Sequence, residues 1–361
     1  MNFWNKLNKP FFCLAPMEDV TDAVFRQVIL RAARPEVFFT EFMNVDGFCH
    51  PAGRESVARR LKFSPTEMPI VAQIWGSKPE NFAQTAAELA KMGFAGIDIN
   101  MGCPDKSVIK SGGGASLIKT PELATKIIQT VKQELAKSSD PDRAVRVDRR
   151  RGSPEQCFPR AEKFSGEEFE TGPEHPEDEL DFAAIPISVK TRIGFSKIDE
   201  WQSWLTTLLE QDLAALTIHL RTRKEMSKVP AHYELIPDII KLRNQIAPAT
   251  KLIINGDIAD RAAGLKLHKV SPSLDGLMIG RGVFANPFCF EKNPRPHDRT
   301  ELLDLLKYHL ELFDQSGNQK YEPLKKFFKI YINGFSGAKE IRNKLMLTTN
   351  TNEARAALEE L

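Results

Sequence analysis

The sequence predicts a (β/α)8 TIM barrel of the α/β class with a small C-terminal helical domain, and three observations carry that prediction. Eight short apolar runs recur along the chain, stretches of helical periodicity separate most of them, and after Pro296 only helical patterns remain. Short buried strands alternating with helices indicate a parallel sheet covered on its outer face, and eight such units close into a barrel. The expected domains are a barrel over 1–296, carrying an insertion at about 138–182, and a helical unit over 297–361. A chain of 361 residues, 42% hydrophobic and 27% charged, is long enough to bury both cores.

In order, the expected strands are 11–17, 37–43, 69–76, 95–102, 187–194, 215–221, 251–257 and 276–282. Helical stretches such as 79–92 and 121–137 open with a proline, which suits a first helical turn. An open doubly wound sheet is the alternative. It requires a glycine-rich dinucleotide fingerprint after the first strand, where Ala15-Pro16-Met17-Glu18 stands instead. The interval 138–182 breaks the rhythm: it is rich in Pro, Gly and charge, with Arg143, Arg146, Arg149, Arg150 and Arg151 ahead of an acidic half. It reads as a flexible excursion whose arginines are more simply solvated than bound to RNA.

Helices are expected over 301–313, 321–332, 338–345 and 352–361. Lys320, Lys325, Lys326, Lys329, Lys339, Arg342 and Lys344 crowd this tail, interleaved with Tyr321, Phe327, Phe328, Tyr331 and Phe335. Basic groups reach phosphates and aromatic faces stack on unpaired bases, the composition of an RNA-docking surface. Taken alone, the spacing of the aromatics favours a helical core.

Composition narrows the class. No apolar run reaches the roughly 18 residues that span a bilayer, and residues 1–10 lack the apolar segment of a secretory signal. A cytoplasmic protein without a membrane partner is expected. Cys13, Cys49, Cys103, Cys157 and Cys289 are odd in number and scattered, against a disulfide framework or zinc cluster. The formal charge of +2 is nearly neutral, so a polyanion partner has to be read from local clustering. A monomer is the default.

Polar residues at the strand carboxyl ends converge on one mouth of such a barrel. The first strand ends in Pro16 and Met17, the third carries Gln73, and Cys103 follows the fourth in Asn100-Met101-Gly102-Cys103-Pro104, before the run Gly112-Gly113-Gly114. A thiol there can deliver a proton, although a lone cysteine beside a turn is as easily structural. The fifth strand carries Lys190 and Arg192, the sixth His219 and Arg221, the seventh ends in Asn255-Gly256-Asp257, and the eighth in Gly280-Arg281-Gly282. The loops after strands seven and eight are the usual phosphate site of these barrels. A cation beside the pyrimidine part of a flavin stabilises its reduced anion, and a glutamine reads that edge. These residues together imply a flavin mononucleotide (FMN) site. No metal is expected, because His219 and His232 stand without ligand partners at motif spacing.

At this point the chain resembles the tRNA-dihydrouridine synthases, flavin enzymes that reduce the C5–C6 double bond of particular tRNA uridines. The resemblance runs almost end to end: Ala15-Pro16-Met17 with Thr21-Asp22, Gln73 with Gly76, Asn100 to Pro104, Lys190-Thr191-Arg192, His219 with Arg221-Thr222, Asn255-Gly256-Asp257, Gly280-Arg281-Gly282, and Tyr331-Ile332-Asn333-Gly334 with Arg342-Asn343 in the tail. It implies that Cys103 is the catalytic acid, protonating uracil C5 while reduced FMN gives a hydride to C6. It implies substrate contacts from Asn100, Lys106 and Arg221. It implies FMN contacts from Pro16, Met17, Gln73, Lys190, His219, Asn255, Gly256, Asp257, Gly280 and Arg281. NADPH or NADH would be the reductant, and the basic tail would grip tRNA. The insertion and the stretch Arg223-Lys224-Glu225-Met226-Ser227 depart from the family pattern. The alternatives are an FMN oxidoreductase acting on a free pyrimidine such as dihydroorotate, and an RNA-binding barrel without redox chemistry.

Overall fold

The computed structural model describes residues 2–138, 185–317 and 320–359. The insertion expected at about 138–182 lies outside them except for Ser138, which ends a helix, and Cys157 lies outside them too.

The expected apolar runs form one parallel sheet: β1 (Phe11–Leu14), β2 (Phe38–Phe39), β3 (Met43–Asn44), β4 (Ile70–Trp75), β5 (Gly96–Met101), β6 (Ile187–Gly194), β7 (Ala215–Thr222), β8 (Lys251–Asn255) and β9 (Gly276–Ile279). Neighbours run β1-β9-β8-β7-β6-β5-β4-β2, with β3 also on β4, and a bridge between Cys13 and Val37 closes the ring. The architecture is the TIM barrel that the sequence predicts. One strand departs from expectation. The run 37–43 forms two dipeptides, β2 and β3, because Thr40 uses its hydroxyl to accept the Gln73 N–H at 3.0 Å and to donate to the Glu41 carbonyl at 2.8 Å. A side chain thus takes a ladder position, and the chain swings outward between the two halves.

Alternation along β1 separates two cores. Phe11, Cys13 and Ala15 fill the barrel interior with Phe39, Val71, Ala215, Ile253 and Met278, while Phe12 and Leu14 join the layer beneath the helices. Trp4 packs 5.6 Å from Phe11 and 6.4 Å from Phe39 and plugs the end opposite the strand carboxyl ends. The mouth at the other end is left for polar groups.

Capping starts the surrounding helices where the sequence places acceptors. Asp22 accepts the Phe25 N–H at 2.8 Å to open the helix Ala23–Ala32, and Asp298 with Glu301 forms a reciprocal cap on Arg299–Gln315. The C-terminal region is helical, with Ala338–Leu347 and Thr351–Glu359 following. The single helix expected over 321–332 is instead a 3-10 segment, Glu322–Phe327, running into a short α-helix, Phe328–Tyr331. Leu324, Phe327 and Ile330 are buried three residues apart, a spacing that the tighter turn aligns on one side. Tyr321, Phe327, Phe328 and Tyr331 are core residues, so the aromatics do not form a stacking face. Phe25 of the barrel meets Phe327 at 4.8 Å and His309 at 5.9 Å, which welds the tail to the barrel wall. Lys320, Lys326, Lys329, Lys339 and Lys344 remain exposed around that core. Among the described residues, no helix is long and apolar enough to cross a membrane, and Cys13, Cys49, Cys103 and Cys289 are unpaired.

Candidate active site

A chain of buried hydrogen bonds runs up the barrel interior to Cys103. Asp98, fully buried on β5, accepts from Ser188 Oγ at 2.6 Å and from Gln73 Nε2 at 2.7 Å. Gln73 Oε1 then accepts from Asn100 Nδ2 at 2.9 Å. Asn100 Oδ1 in turn accepts the backbone N–H groups of Gly102 at 3.0 Å and Cys103 at 2.9 Å. A carboxylate only accepts, so Asp98 dictates the orientation of each amide above it. The loop that presents the thiol is thereby held from below, and Arg192 Nε holds it from the side by donating to the Gly102 carbonyl at 2.8 Å. Burial pushes Asp98 up to about 6, against the hydrogen bonds from Ser188 and Gln73 and the charge of Lys190, which hold it down.

Cys103 is half-buried at the mouth, and burial pushes its thiol above the ordinary range. A raised thiol keeps its proton at neutral pH, which suits an acid rather than a nucleophile. The sign is definite. A step that draws on the protonated thiol is expected to decline only above the ordinary thiol range, which a pH profile of proton delivery checks.

Two nitrogen groups lie on neighbouring strands. Burial and the Arg192 charge lower Lys190 to about 8, so its ammonium is sensitive to any anion that arrives beside it. The Lys190 side chain has no hydrogen bond or ion pair among the described residues. His219 is held neutral by burial and by the charges of Arg192, Lys190, Arg221 and Arg281. Arg221 Nη1 lies 3.2 Å from His219 Nε2. Arginine has no acceptor, so Nε2 accepts and the imidazole proton sits on Nδ1.

The expected phosphate loops pack together. Gly256 has φ +123°, and a Cβ there would stand 3.1 Å from Ala231 Cβ and 3.3 Å from His219 Cδ2. The position requires glycine. Asp257 follows at φ 51°, and the two positive-φ residues open a backbone concavity. The Asp257 carboxylate is engaged within the protein: it pairs with Arg221 Nη2, accepts the Ala231 N–H at 3.0 Å, and takes Arg281 Nη2 at 2.9 Å. Arg281 remains largely exposed, and Gly280 lies against Ala15 and Met17, whose Sδ is 3.7 Å from where a Cβ would stand. Asn255 is tied down, donating to the Met278 carbonyl at 2.8 Å.

Most of the residues singled out in the sequence therefore meet at one rim: Met17 and Gly280, Asn100 with Cys103, Lys190, and His219 with Gly256, Asp257 and Arg281, whereas Gln73 lies fully buried beneath them with both ends of its amide already bonded to Asp98 and Asn100. Pro16 is buried beside Met17, at the end of β1. Arg221 is placed differently from an open ligand contact, with its guanidinium buried against Asp257, His219 and the Val229 carbonyl. Lys106 is exposed at the start of the short helix after Cys103. Sequence reasoning missed Asp98 and Ser188. An acid inside the apolar run Ile97-Asp98-Ile99 was the available signal, since a buried carboxylate needs committed donors.

At the outer edge of the rim, oxygen atoms of Glu18, Asp19 and Glu41 lie within 4.8 Å of one another. Burial, with Asp22 and Glu18 nearby, pushes Glu41 up to about 7. The folded state then holds a proton that the unfolded chain releases, so stability falls as pH rises from the unfolded carboxyl range through 7. Glu41→Gln is expected to stabilise the protein by about 2 kcal/mol at pH 8 and by nothing at about pH 4. Denaturant titrations at the two pH values check this.

Fold and rim together define a TIM barrel whose mouth gathers a half-buried thiol, a half-buried lysine and an imidazole that burial holds neutral. The family description "Dihydrouridine synthase (Dus)" matches residues 13–151 and 178–361, and the chain belongs to that family. The gap in the match falls inside the interval that the sequence sets apart. The chain is 48% identical over 362 residues to the "Probable tRNA-dihydrouridine synthase 2" of Bacillus subtilis (strain 168), covering 99% of this chain and 96% of the relative. It is 50% identical over 362 residues to the "Probable tRNA-dihydrouridine synthase" of Staphylococcus aureus (strain COL), covering 99% and 95%. A solved structure of morphinone reductase in complex with tetrahydroNAD overlaps 77% of this chain and 84% of its own, at 12% identity and a TM-score of 0.42, a likeness too loose to bear on chemistry.

Proposed function

We propose that the protein is an FMN- and NAD(P)H-dependent tRNA-dihydrouridine synthase, reducing the C5–C6 double bond of specific tRNA uridines with Cys103 as proton donor. Family membership and the names of relatives nearly half identical over the whole chain support the reaction class. The cofactor reading rests on the donor set of the mouth. The Lys190 ammonium is half-buried and has no hydrogen-bonded or ion-paired partner among the described residues, which leaves it open to an anion at the mouth. His219 carries its proton on Nδ1. That set would suit FMN, whose phosphate Arg281 and the backbone of the Gly256-Asp257 and Gly280-Arg281 turns would hold.

When bound, FMN would supply the hydride for uracil C6, drawn from a nicotinamide cofactor. The chain's own residues do the rest. Asn100 fixes the loop so that the Cys103 thiol is presented to the mouth, and Cys103 delivers its proton to C5. Hydride and proton together add two hydrogens across the double bond. The thiolate left behind is half-exposed and regains its proton from solvent. The target uridine is paired or stacked in folded tRNA, so it is extruded into the mouth. Exposed lysines of the 297–361 domain would supply contacts to the flanking phosphates. A cytoplasmic monomer is the corresponding working form.

The observation that carries this reading is the protonated thiol held by Asn100 on the same rim as Lys190. Mapping dihydrouridine in tRNA from cells with and without the protein tests it. The proposal expects specific uridines to lose the modification when the protein is absent, and an unchanged map would refute it.

A further inference from the structure

Beside the mouth, where β3 and β4 end, lies a cavity of about 580 Å³ whose lining includes Glu18, Phe42, Arg59, Arg60, Trp75 and Lys320. Its size suits a single nucleotide. It is close to the chemistry. Trp75 Cε3 lies 3.0 Å from where a Cβ on Gly113 would stand, and the same position on Gly114 is 3.2 Å from Cys103 Cβ. Two glycines therefore separate the indole from the catalytic loop.

The lining groups specify a ligand. The Trp75 indole and the Phe42 ring are both partly exposed and offer aromatic faces. The side chains of Arg59 and Lys320 are exposed and have no hydrogen bond or ion pair among the described residues. Glu18 is asymmetric. Its Oε1 accepts from Arg60 Nε at 2.9 Å, whereas its Oε2 is shielded from solvent and accepts no hydrogen bond. A buried acceptor without a donor is costly unless a ligand satisfies it.

We propose that this cavity binds one unpaired nucleotide of the RNA substrate whose base bears an exocyclic amine. The base stacks on Trp75, its amine donates to the Glu18 carboxylate once that side chain turns Oε2 toward the cavity, and the phosphate sits between Arg59 and Lys320. A second uracil fits poorly, because the carbonyls flanking its single N–H would face the carboxylate. The cavity spans the barrel rim and, through Lys320, the helical tail, as a strand leading away from the mouth requires. The inference rests on reading the mouth as a uridine-reducing site for RNA.

The test uses the flavin-loaded protein. Glu18→Gln turns the buried acceptor into a donor, and with Trp75→Ala it is expected to weaken binding of a tRNA transcript about tenfold each. Trp75→Phe keeps an aromatic face and should stay within about threefold of the parent. Free 5′-GMP should quench tryptophan fluorescence in the parent but not in Trp75→Phe, and 5′-UMP should quench neither. Parental tRNA affinity in both Glu18→Gln and Trp75→Ala would overturn the proposal. So would an effect confined to the KM for NADPH, which would assign the cavity to the dinucleotide. If the parent reduces no tRNA uridine, the functional reading fails, while the mononucleotide titration still decides whether the cavity takes an amine-bearing base.

Discussion

Replacing Cys103 with alanine is expected to leave FMN bound and to slow uridine reduction by about 10²- to 10⁴-fold, the range that a positioned general acid contributes. The alanine removes only the thiol. The loop keeps its shape, because Asn100 holds it through the backbone N–H groups of Gly102 and Cys103, and Lys190, His219 and Gln73 belong to other strands. Reduction of the flavin by NADPH should therefore proceed as in the parent, while reduced protein mixed with tRNA should be reoxidised slowly. Serine is a sharper variant, since it keeps the volume but is a much weaker acid. Parental single-turnover rates in the alanine variant would remove Cys103 from the mechanism.

Replacing Asn100 with alanine is expected to act on stability and rate together. Two backbone donors lose their acceptor and Gln73 Oε1 loses its donor, all within the barrel interior. An unsatisfied buried group costs about 1–3 kcal/mol, so a total loss of roughly 2–4 kcal/mol is expected in denaturant unfolding. With its loop released, the thiol is no longer held in line with the substrate, and single-turnover reduction should slow by about tenfold to a hundredfold. Asn100→Asp separates the two effects. It keeps an oxygen for the Gly102 and Cys103 N–H groups, but it sets a second carboxylate against Gln73 Oε1, and since Gln73 cannot turn its NH2 to both Asp98 and the new carboxyl, one of the two must take up a proton. A variant with parental stability and rate would mean that this chain of bonds does not position the loop.

The barrel was readable in the sequence because strands buried on both faces appear as unbroken apolar runs, and because the mouth collects whatever polar residues end them. Cys103, Lys190 and His219 stood out for that reason. The split of 37–43 into β2 and β3 was not readable, since it depends on Thr40 finding the Gln73 N–H across the sheet. Asp98 was hidden by its own position. A carboxylate between two isoleucines gives no sign of which donors it will meet, and those proved to be Gln73 and Ser188, 25 and 90 residues away. Arg221 and Asp257 illustrate the opposite limit. Their types suggest ligand contacts, yet each is the other's partner. Residue type indicates a charge at the rim, and only the packing tells whether that charge faces outward or is already paired. The tail aromatics follow the same rule: Phe327, Phe328 and Tyr331 serve the core, and the lysines around them stay at the surface.

The most direct measurement mixes anaerobically reduced protein with unmodified tRNA transcript and follows flavin reoxidation alongside dihydrouridine formation. One dihydrouridine per flavin reoxidised, formed rapidly by the parent and slowly by Cys103→Ala, is the predicted result. Reoxidation that ignores the tRNA, or dihydrouridine formed equally fast without the thiol, would contradict the account.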